Sequence, residues 1–312
     1  MNSAALDVIT IGECMVQLIA DQAGPLSEVT HFTKGIAGAE TNVAIGLARL
    51  GHQVGWVSRL GNDSFGEHIR RCMEQEKVDC SMVTADPQRS TGMMLKSRTL
   101  DGSDPTTEYH RKGSAASALS LTDFDPQRFL AARHLHVTGI PPALSDAADE
   151  LIAHSMRFMR QNGRTVSFDP NLRPRLWPTR EHMVARINRL APLAHWVLPG
   201  QEEGRILTGM HTPADIAKFY LQAGAEHVVI KLGAAGAYHQ GAAESGTVPG
   251  VKVAHVVDTV GAGDGFAVGV ISARLEGLGW PAALARGNWV GAQAIQAVGD
   301  MDGLPYRAQL PG

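Results

Sequence analysis

The chain has 312 residues, a formal charge of −3 and 44% apolar residues. This is ample for a buried core, and no excess of positive charge suits it to nucleic acid. It has no Lys/Arg run or basic-aromatic stripe, and no apolar stretch nears the roughly 20 residues of a membrane-crossing helix. The start, residues 1–7, lacks the basic region and apolar core of a secretory signal, so a cytoplasmic location is expected, with no membrane partner. The three cysteines, Cys14, Cys72 and Cys80, make neither a CxxC pair nor a zinc spacing and read as reduced packing residues.

In chain order, short β-like runs alternate with helix-like segments, as in an α/β fold with a largely parallel sheet flanked by helices. Core strands are predicted at 8–11, 54–58, 135–138, 165–168, 196–198 and 228–232. Several are continuous apolar runs, as a sheet covered on both faces requires. After Gly38, residues Val43, Leu47 and Leu50 share one face of a helix that Gly51 can end. Ser64 and Glu67 form a capping box for the next helix, and Asn62-Asp63-Ser64, a formal glycosylation sequon, reads as its turn and cap. Thr212-Pro213 with Asp215 opens another helix, closed by Gly224. Regions 15–37 and 91–111 break the alternation with extended stretches. They predict a small antiparallel sheet inserted into a main domain of residues 1–14, 38–90 and 112–312.

The most informative stretch is Asp258-Thr259-Val260-Gly261-Ala262-Gly263-Asp264-Gly265-Phe266. Gly261, Ala262 and Gly263 let backbone approach an anion, and their N–H groups join the unpaired donors at the start of a helix running through Phe266, Val270 and Ile271. Asp264 is the anomaly. A carboxylate beside an anion site is repelled by phosphate, which suggests that it takes the proton from a hydroxyl attacking a bound phosphoryl group.

This segment resembles the signature of the ribokinase-like, PfkB-type carbohydrate kinases, as does the run from Gly35 to Ala44, GIAGAETNVA, followed by GLARLG at 46–51. The resemblance implies an ATP- and Mg²⁺-dependent kinase with Gly261, Ala262 and Gly263 as the anion hole and Asp264 as the base. It puts Gly38 and Asn42 at substrate hydroxyls. It also names the inserted sheet a lid over the substrate and the contact of a homo-oligomer, against the plainer reading of two surface hairpins.

Arg173, in Asp169-Pro170-Asn171-Leu172-Arg173, lies beyond the end of a predicted strand, where ligands of open α/β sheets collect, and offers a planar fork for a carboxylate or phosphate. Tyr109 and Arg111 project to one side of an extended stretch and can reach one ligand. These segments resemble the subgroup that phosphorylates the C6 hydroxyl of 2-keto-3-deoxygluconate, which implies that Tyr109, Arg111 and Arg173 contact the open-chain sugar acid, Arg173 at its carboxylate. Kinases of 2-keto-3-deoxygalactonate, 5-keto-2-deoxygluconate or fructose are the alternatives, followed by a sugar-binding regulator without turnover. Relatives often carry tyrosine where Met93 and Met94 stand, so either one of these methionines packs against the sugar chain or the pocket is tuned to a related acid, and the exact substrate stays open.

On the nucleotide side the resemblance points to Lys231, Gly233, Gly236 and Asn288, together with Gly261 and Gly263. Glu203 reads as a magnesium residue acting through water, with Gly200 where the family has asparagine. Asp258 reads two ways, as a ligand of a monovalent cation such as K⁺ or as an acid that steadies the turn. No GxxxxGK[ST] or strand-borne GxGxxG occurs, and the thirteen histidines contain no HExxH, which counts against P-loop, dinucleotide and zinc-hydrolase chemistry.

Overall fold

The computed structural model describes residues 5–99 and 105–311. Residues 1–4 of the expected main domain, 100–104 of the expected insertion, and 312 lie outside the described residues. Strands β1 (Leu6–Ile11), β4 (Val54–Gly61), β5 (Asp79–Asp86), β8 (Ala132–Thr138), β9 (Thr165–Asp169), β10 (Trp196–Val197), β11 (His227–Lys231), β12 (Gly236–Gly241) and β13 (Ser245–Pro249) form one sheet. Its order is β13-β12-β11-β10-β9-β8-β1-β4-β5. Every pairing from β11 to β5 is parallel, while β12 and β13 add an antiparallel hairpin at the edge.

The helices are α1 (Ala39–Arg49), α2 (Ser64–Gln75), α3 (Pro126–Ala131), α4 (Ile140–Leu144), α5 (Asp146–Gln161), α6 (Arg180–Leu190), α7 (Gln201–Thr208), α8 (Pro213–Ala223), α9 (Ala262–Leu275) and α10 (Trp280–Ala294). Successive strand side chains enter opposite layers. Val8 and Trp56 pack with Val43 and Leu47 of α1, Ile69 of α2, and Phe266 and Val270 of α9. Ile9 and Val57 enter the other layer, with Leu151 and Met156 of α5, Ile187 of α6 and Tyr220 of α8. These buried side chains on both faces explain why β1 reads as mainly apolar, each contributing about 1.5–3 kcal/mol by leaving water.

Local signals act much as the sequence suggests, with one shift. Thr212 caps α8 by accepting from the Asp215 N–H, and the chain leaves that helix at Gly224. At α2, however, the cap is Asp63, which accepts the Gly66 N–H at 2.8 Å, and Ser64 is already helical. A carboxylate at that cap also favours the positive end of the helix.

The second sheet contains β2 (Met15–Ala23), β3 (Phe32–Ala37), β6 (Met93–Arg98) and β7 (Thr107–His110) in the order β3-β2-β6-β7. It is mixed rather than antiparallel, because β2 and β6 at its centre run parallel. The two strands enter from separate crossovers of the main sheet and so arrive in the same direction, whereas each hairpin partner pairs antiparallel.

Candidate active site

The carboxyl ends of β1, β9 and β11 open on a cleft of about 260 Å³, and the second sheet supplies its opposite wall. Gly38, Asn42, Tyr109, Arg111, Arg173, Glu203, Lys231, Gly261, Gly263 and Asp264 all line it. Ala262, Gly233, Gly236, Asp258 and Asn288 do not.

Gly261 precedes α9 with φ 85°, a left-handed conformation that glycine adopts without cost. A β-carbon there would lie 2.7 Å from the Asp300 carbonyl oxygen. Gly263 is already helical, so the conformational demand falls on Gly261. Asp264 follows in the first turn of α9, and its Oδ2 accepts from Asn42 Nδ2 at 2.8 Å. Asn171 Nδ2 lies 3.4 Å from the other oxygen. Burial pushes the Asp264 carboxyl up, the Asn42 hydrogen bond opposes this, and the charge of Asp169 adds to the rise, for a value of about 7. Such a carboxylate can accept a proton near neutral pH.

Asn42 is held for this contact by α1, whose N-cap Gly38 has no room for a side chain, since a β-carbon would lie 2.3 Å from the Glu13 carbonyl oxygen. Asn171 has φ 40°, a region that asparagine tolerates better than most residues. Lys231, at the end of β11, bonds Asp169 Oδ2 at 2.6 Å. Burial would lower the lysine, but Asp169 and Glu203 outweigh it and hold the ammonium above its ordinary range. A β-carbon on Gly263 would be 3.5 Å from Lys231 Nζ, so this cation stands beside the glycine turn.

The opposite wall is less free than the sequence suggests. Arg111 and Tyr109 are neighbours, with the guanidinium carbon 6.0 Å from the ring centre. Arg111 is nevertheless buried, and its Nε donates to Glu13 Oε2 at 2.6 Å. Glu13, which the sequence reading missed, also accepts from Ser114 Oγ. Arg173 is exposed, donates to the Leu172 carbonyl oxygen at 3.0 Å, and makes no salt bridge among the described residues. Met94 pairs with Tyr109 across the strands and lines the cleft, whereas Met93 packs into the core. Glu40, also missed, lies buried with one oxygen unpartnered, and burial raises its carboxyl to about 7.

Glu203 caps the start of its own helix. Its Oε2 accepts the Gly200 N–H and its Oε1 the Leu172 N–H, both at 2.7 Å, so the glycine in place of asparagine lends only backbone. No three His, Cys, Asp or Glu side chains among the described residues form a metal cage. Magnesium keeps its waters and takes phosphate oxygens as ligands, so it suits this wall without such a cage. Asp258 meets the ammonium of buried Lys96, and its other oxygen accepts the Val260 N–H at 3.0 Å. A side-chain cation therefore stands where a monovalent metal ion was one expectation.

Asn288 donates to the Val248 and Pro249 carbonyl oxygens at 3.2 and 2.9 Å, which pins α10 to β13. Gly236 makes a tight turn at φ 105°, and Gly233 has φ 60°. Neither Asp169 nor Asn171 was singled out beforehand. Their signal was the DPN run itself, read only for the arginine that follows it.

A family model described as pfkB family carbohydrate kinase matches residues 5–307. The chain is 51% identical over 306 residues to the 2-dehydro-3-deoxygluconokinase of Bacillus subtilis (strain 168), covering 98% of this chain and 94% of that one. It resembles the crystal structure of a PfkB protein from Polaromonas sp. JS666 with a TM-score of 0.91 at 55% identity, covering 98% and 99% of the two chains. A putative ribokinase II from E. coli in complex with ATP and Mg²⁺ gives a TM-score of 0.88 at 27% identity, with 97% of each chain covered. No helix among the described residues is long and apolar enough to cross a membrane. With the family model spanning nearly the whole chain and the site built at the carboxyl ends of a parallel sheet, the protein belongs to the pfkB family of carbohydrate kinases.

Proposed function

We propose that this kinase phosphorylates 2-dehydro-3-deoxygluconate (2-keto-3-deoxygluconate) on its C6 hydroxyl, using ATP. The observation that carries the reading is the placement of Asp264, whose carboxyl is raised to about 7, in a cleft whose rim presents the exposed guanidinium of Arg173. The relative from Bacillus subtilis, named for this activity, supports the substrate.

In this reading the C6 oxygen bonds to the γ-phosphorus while the bridging P–O bond breaks, leaving its electron pair on ADP. The hydroxyl proton passes to Asp264. Asn42 and Asn171 hold the carboxylate in place, and the N–H groups of Gly261 to Gly263 meet the charge developing on the phosphoryl oxygens, with Lys231 beside them. Arg173 binds the acid's carboxylate, and Tyr109 and Met94 border its chain. Arg111 serves this wall through Glu13 rather than as a free cation.

Glu203, at the head of its helix, would reach a nucleotide-bound magnesium through water, and that ion would supply charge neutralisation on the departing ADP. The surroundings of Asp258 do not fit a bound potassium ion, because Lys96 already fills them. The sheet within 15–37 and 91–111 serves as the lid of the domain formed by 1–14, 38–90 and 112–312, excluding water that competes as acceptor. Its edge strands, β3 and β7, are the surface on which a second copy would pair. The test is product identity. After incubation with ATP and 2-dehydro-3-deoxygluconate, phosphorus–proton correlation NMR should show the phosphate on C6; phosphate on another carbon, or ADP formed only as free phosphate accumulates, would reject the reading.

A further inference from the structure

We infer that Lys96 is a built-in monovalent cation, a positioning residue whose ammonium holds the glycine turn in place and makes the enzyme independent of potassium. This rests on the reading of Gly261 to Gly263 as the turn that receives the phosphoryl group, and adds how that turn is kept in shape.

Lys96 sits on β6, two residues beyond Met94, with 1% of its surface exposed. An ammonium has three donors and no acceptor. Here they are matched by Asp258 Oδ2, Asp300 Oδ1 at 2.9 Å and the Val298 carbonyl oxygen at 3.5 Å. Two carboxylates and a carbonyl are the oxygen donors that a bare monovalent cation would need. A second cation placed among them would face the ammonium at contact distance, where like charges repel strongly. The remaining negative charge is met by neutral donors: Gln17 Nε2 from β2 reaches Asp300 Oδ1 at 3.0 Å, and the Val260 N–H reaches Asp258.

The clamp grips both walls of the turn. Asp258 stands three residues before Gly261, and the backbone of Asp300 is the surface against which Gly261 packs too closely for any side chain. Lys96 joins the two through their carboxylates. Without the ammonium, two buried carboxylates would face each other and push these walls apart. Lys96 lies on β6 and Gln17 on β2, so the strand that brings Met94 to the cleft is itself fastened to the turn. All three donors of Lys96 are engaged, which leaves it none for a substrate.

The test uses the full chain in buffer with choline as the only monovalent cation and ATP as its Tris salt with magnesium. Replacing about 0.1 M choline by K⁺ should change wild-type turnover by less than about twofold and leave Tm unmoved, as expected when no ligand binds. Lys96→Ala in choline should lose at least about tenfold in turnover; K⁺ or NH₄⁺, entering the vacated space, should recover much of the loss and raise Tm. A lysine that only stabilises the fold would give no such selective rescue. Severalfold activation of the wild type by K⁺ would overturn the inference, as would full turnover of Lys96→Ala in choline or a loss that neither cation repairs. Should Lys96→Ala not fold, the wild-type response decides alone. Each comparison is a ratio between salts on one sugar, so it reads the lysine, while the absolute rate reads the substrate assignment.

Discussion

Replacing Asp264 with asparagine should make the protein less active and more stable at once. The folded carboxyl is raised from an ordinary 3.8 to about 7, first by burial, and each unit corresponds to about 1.4 kcal/mol. A raised acid binds its proton in the folded state at pH values where the unfolded chain has lost it. Stability therefore falls as pH climbs from about 4 to 7 and stays lowered above. The full shift corresponds to about 4 kcal/mol, and partial contact with cleft water reduces this to about 2 kcal/mol. Asp264→Asn removes the charge and keeps an oxygen for the Asn42 donor. At pH 8 its Tm should rise by about 4 °C, with the gain shrinking towards pH 5. Turnover, followed by coupled ADP release, should drop about 10²–10⁴-fold, and wild-type kcat/KM should fall as pH drops through about 7. Near-normal turnover, or a variant less stable than wild type at pH 8, would refute the assignment of Asp264 as a buried base.

Three further perturbations probe other parts of the site. Arg173→Ala should weaken the acid substrate by roughly 1.5–3 kcal/mol, about one to two powers of ten in KM, and barely affect an uncharged keto-sugar; equal losses on both would make Arg173 structural. Gly261→Val places a β-branched residue at φ 85° against the Asp300 carbonyl, so transfer should fail while circular dichroism still reports the sheet; retained activity would remove the turn from the phosphate. Arg111→Met strands buried Glu13 and should cost about 3–5 kcal/mol in urea unfolding, partly recovered by adding Glu13→Gln; a change within about 0.5 kcal/mol would show that the pair carries no weight.

Much of the fold was legible because parallel strands buried on both faces are rich in apolar residues, as in the run 228–230 of β11 and, broken only by Thr10, the run 8–11 of β1. The hairpin β12–β13 was missed because its sequences, GAYHQG and SGTVP, are small and polar, which suits the exposed edge strand β13 and hides the more buried β12. The parallel pairing of β2 with β6 could not be read locally, since it depends on where two distant crossovers deliver their strands. Within the site, Asp264 and Gly261 stood out as an acid and a glycine at a helix start. The partners were hidden by distance: Asn42 lies 222 residues from Asp264, Glu13 lies 98 from Arg111, and Asp300 lies 204 from Lys96. Arg111 illustrates the cost. Alternation put it on the correct face beside Tyr109, but only the fold brings up the carboxylate that absorbs its charge. Lys96 sits two residues after Met94 in the same strand, so a lysine at an inward position was the available signal.

The central claim, a kinase whose cleft selects a sugar acid, is tested most directly by kcat/KM in ADP release for 2-dehydro-3-deoxygluconate, 5-dehydro-2-deoxygluconate and fructose, measured side by side. The expected result is a preference of at least about 100-fold for 2-dehydro-3-deoxygluconate over fructose, the scale of a charge-assisted contact together with the positioning it provides. Fructose turned over as well as, or better than, the acid would contradict the account.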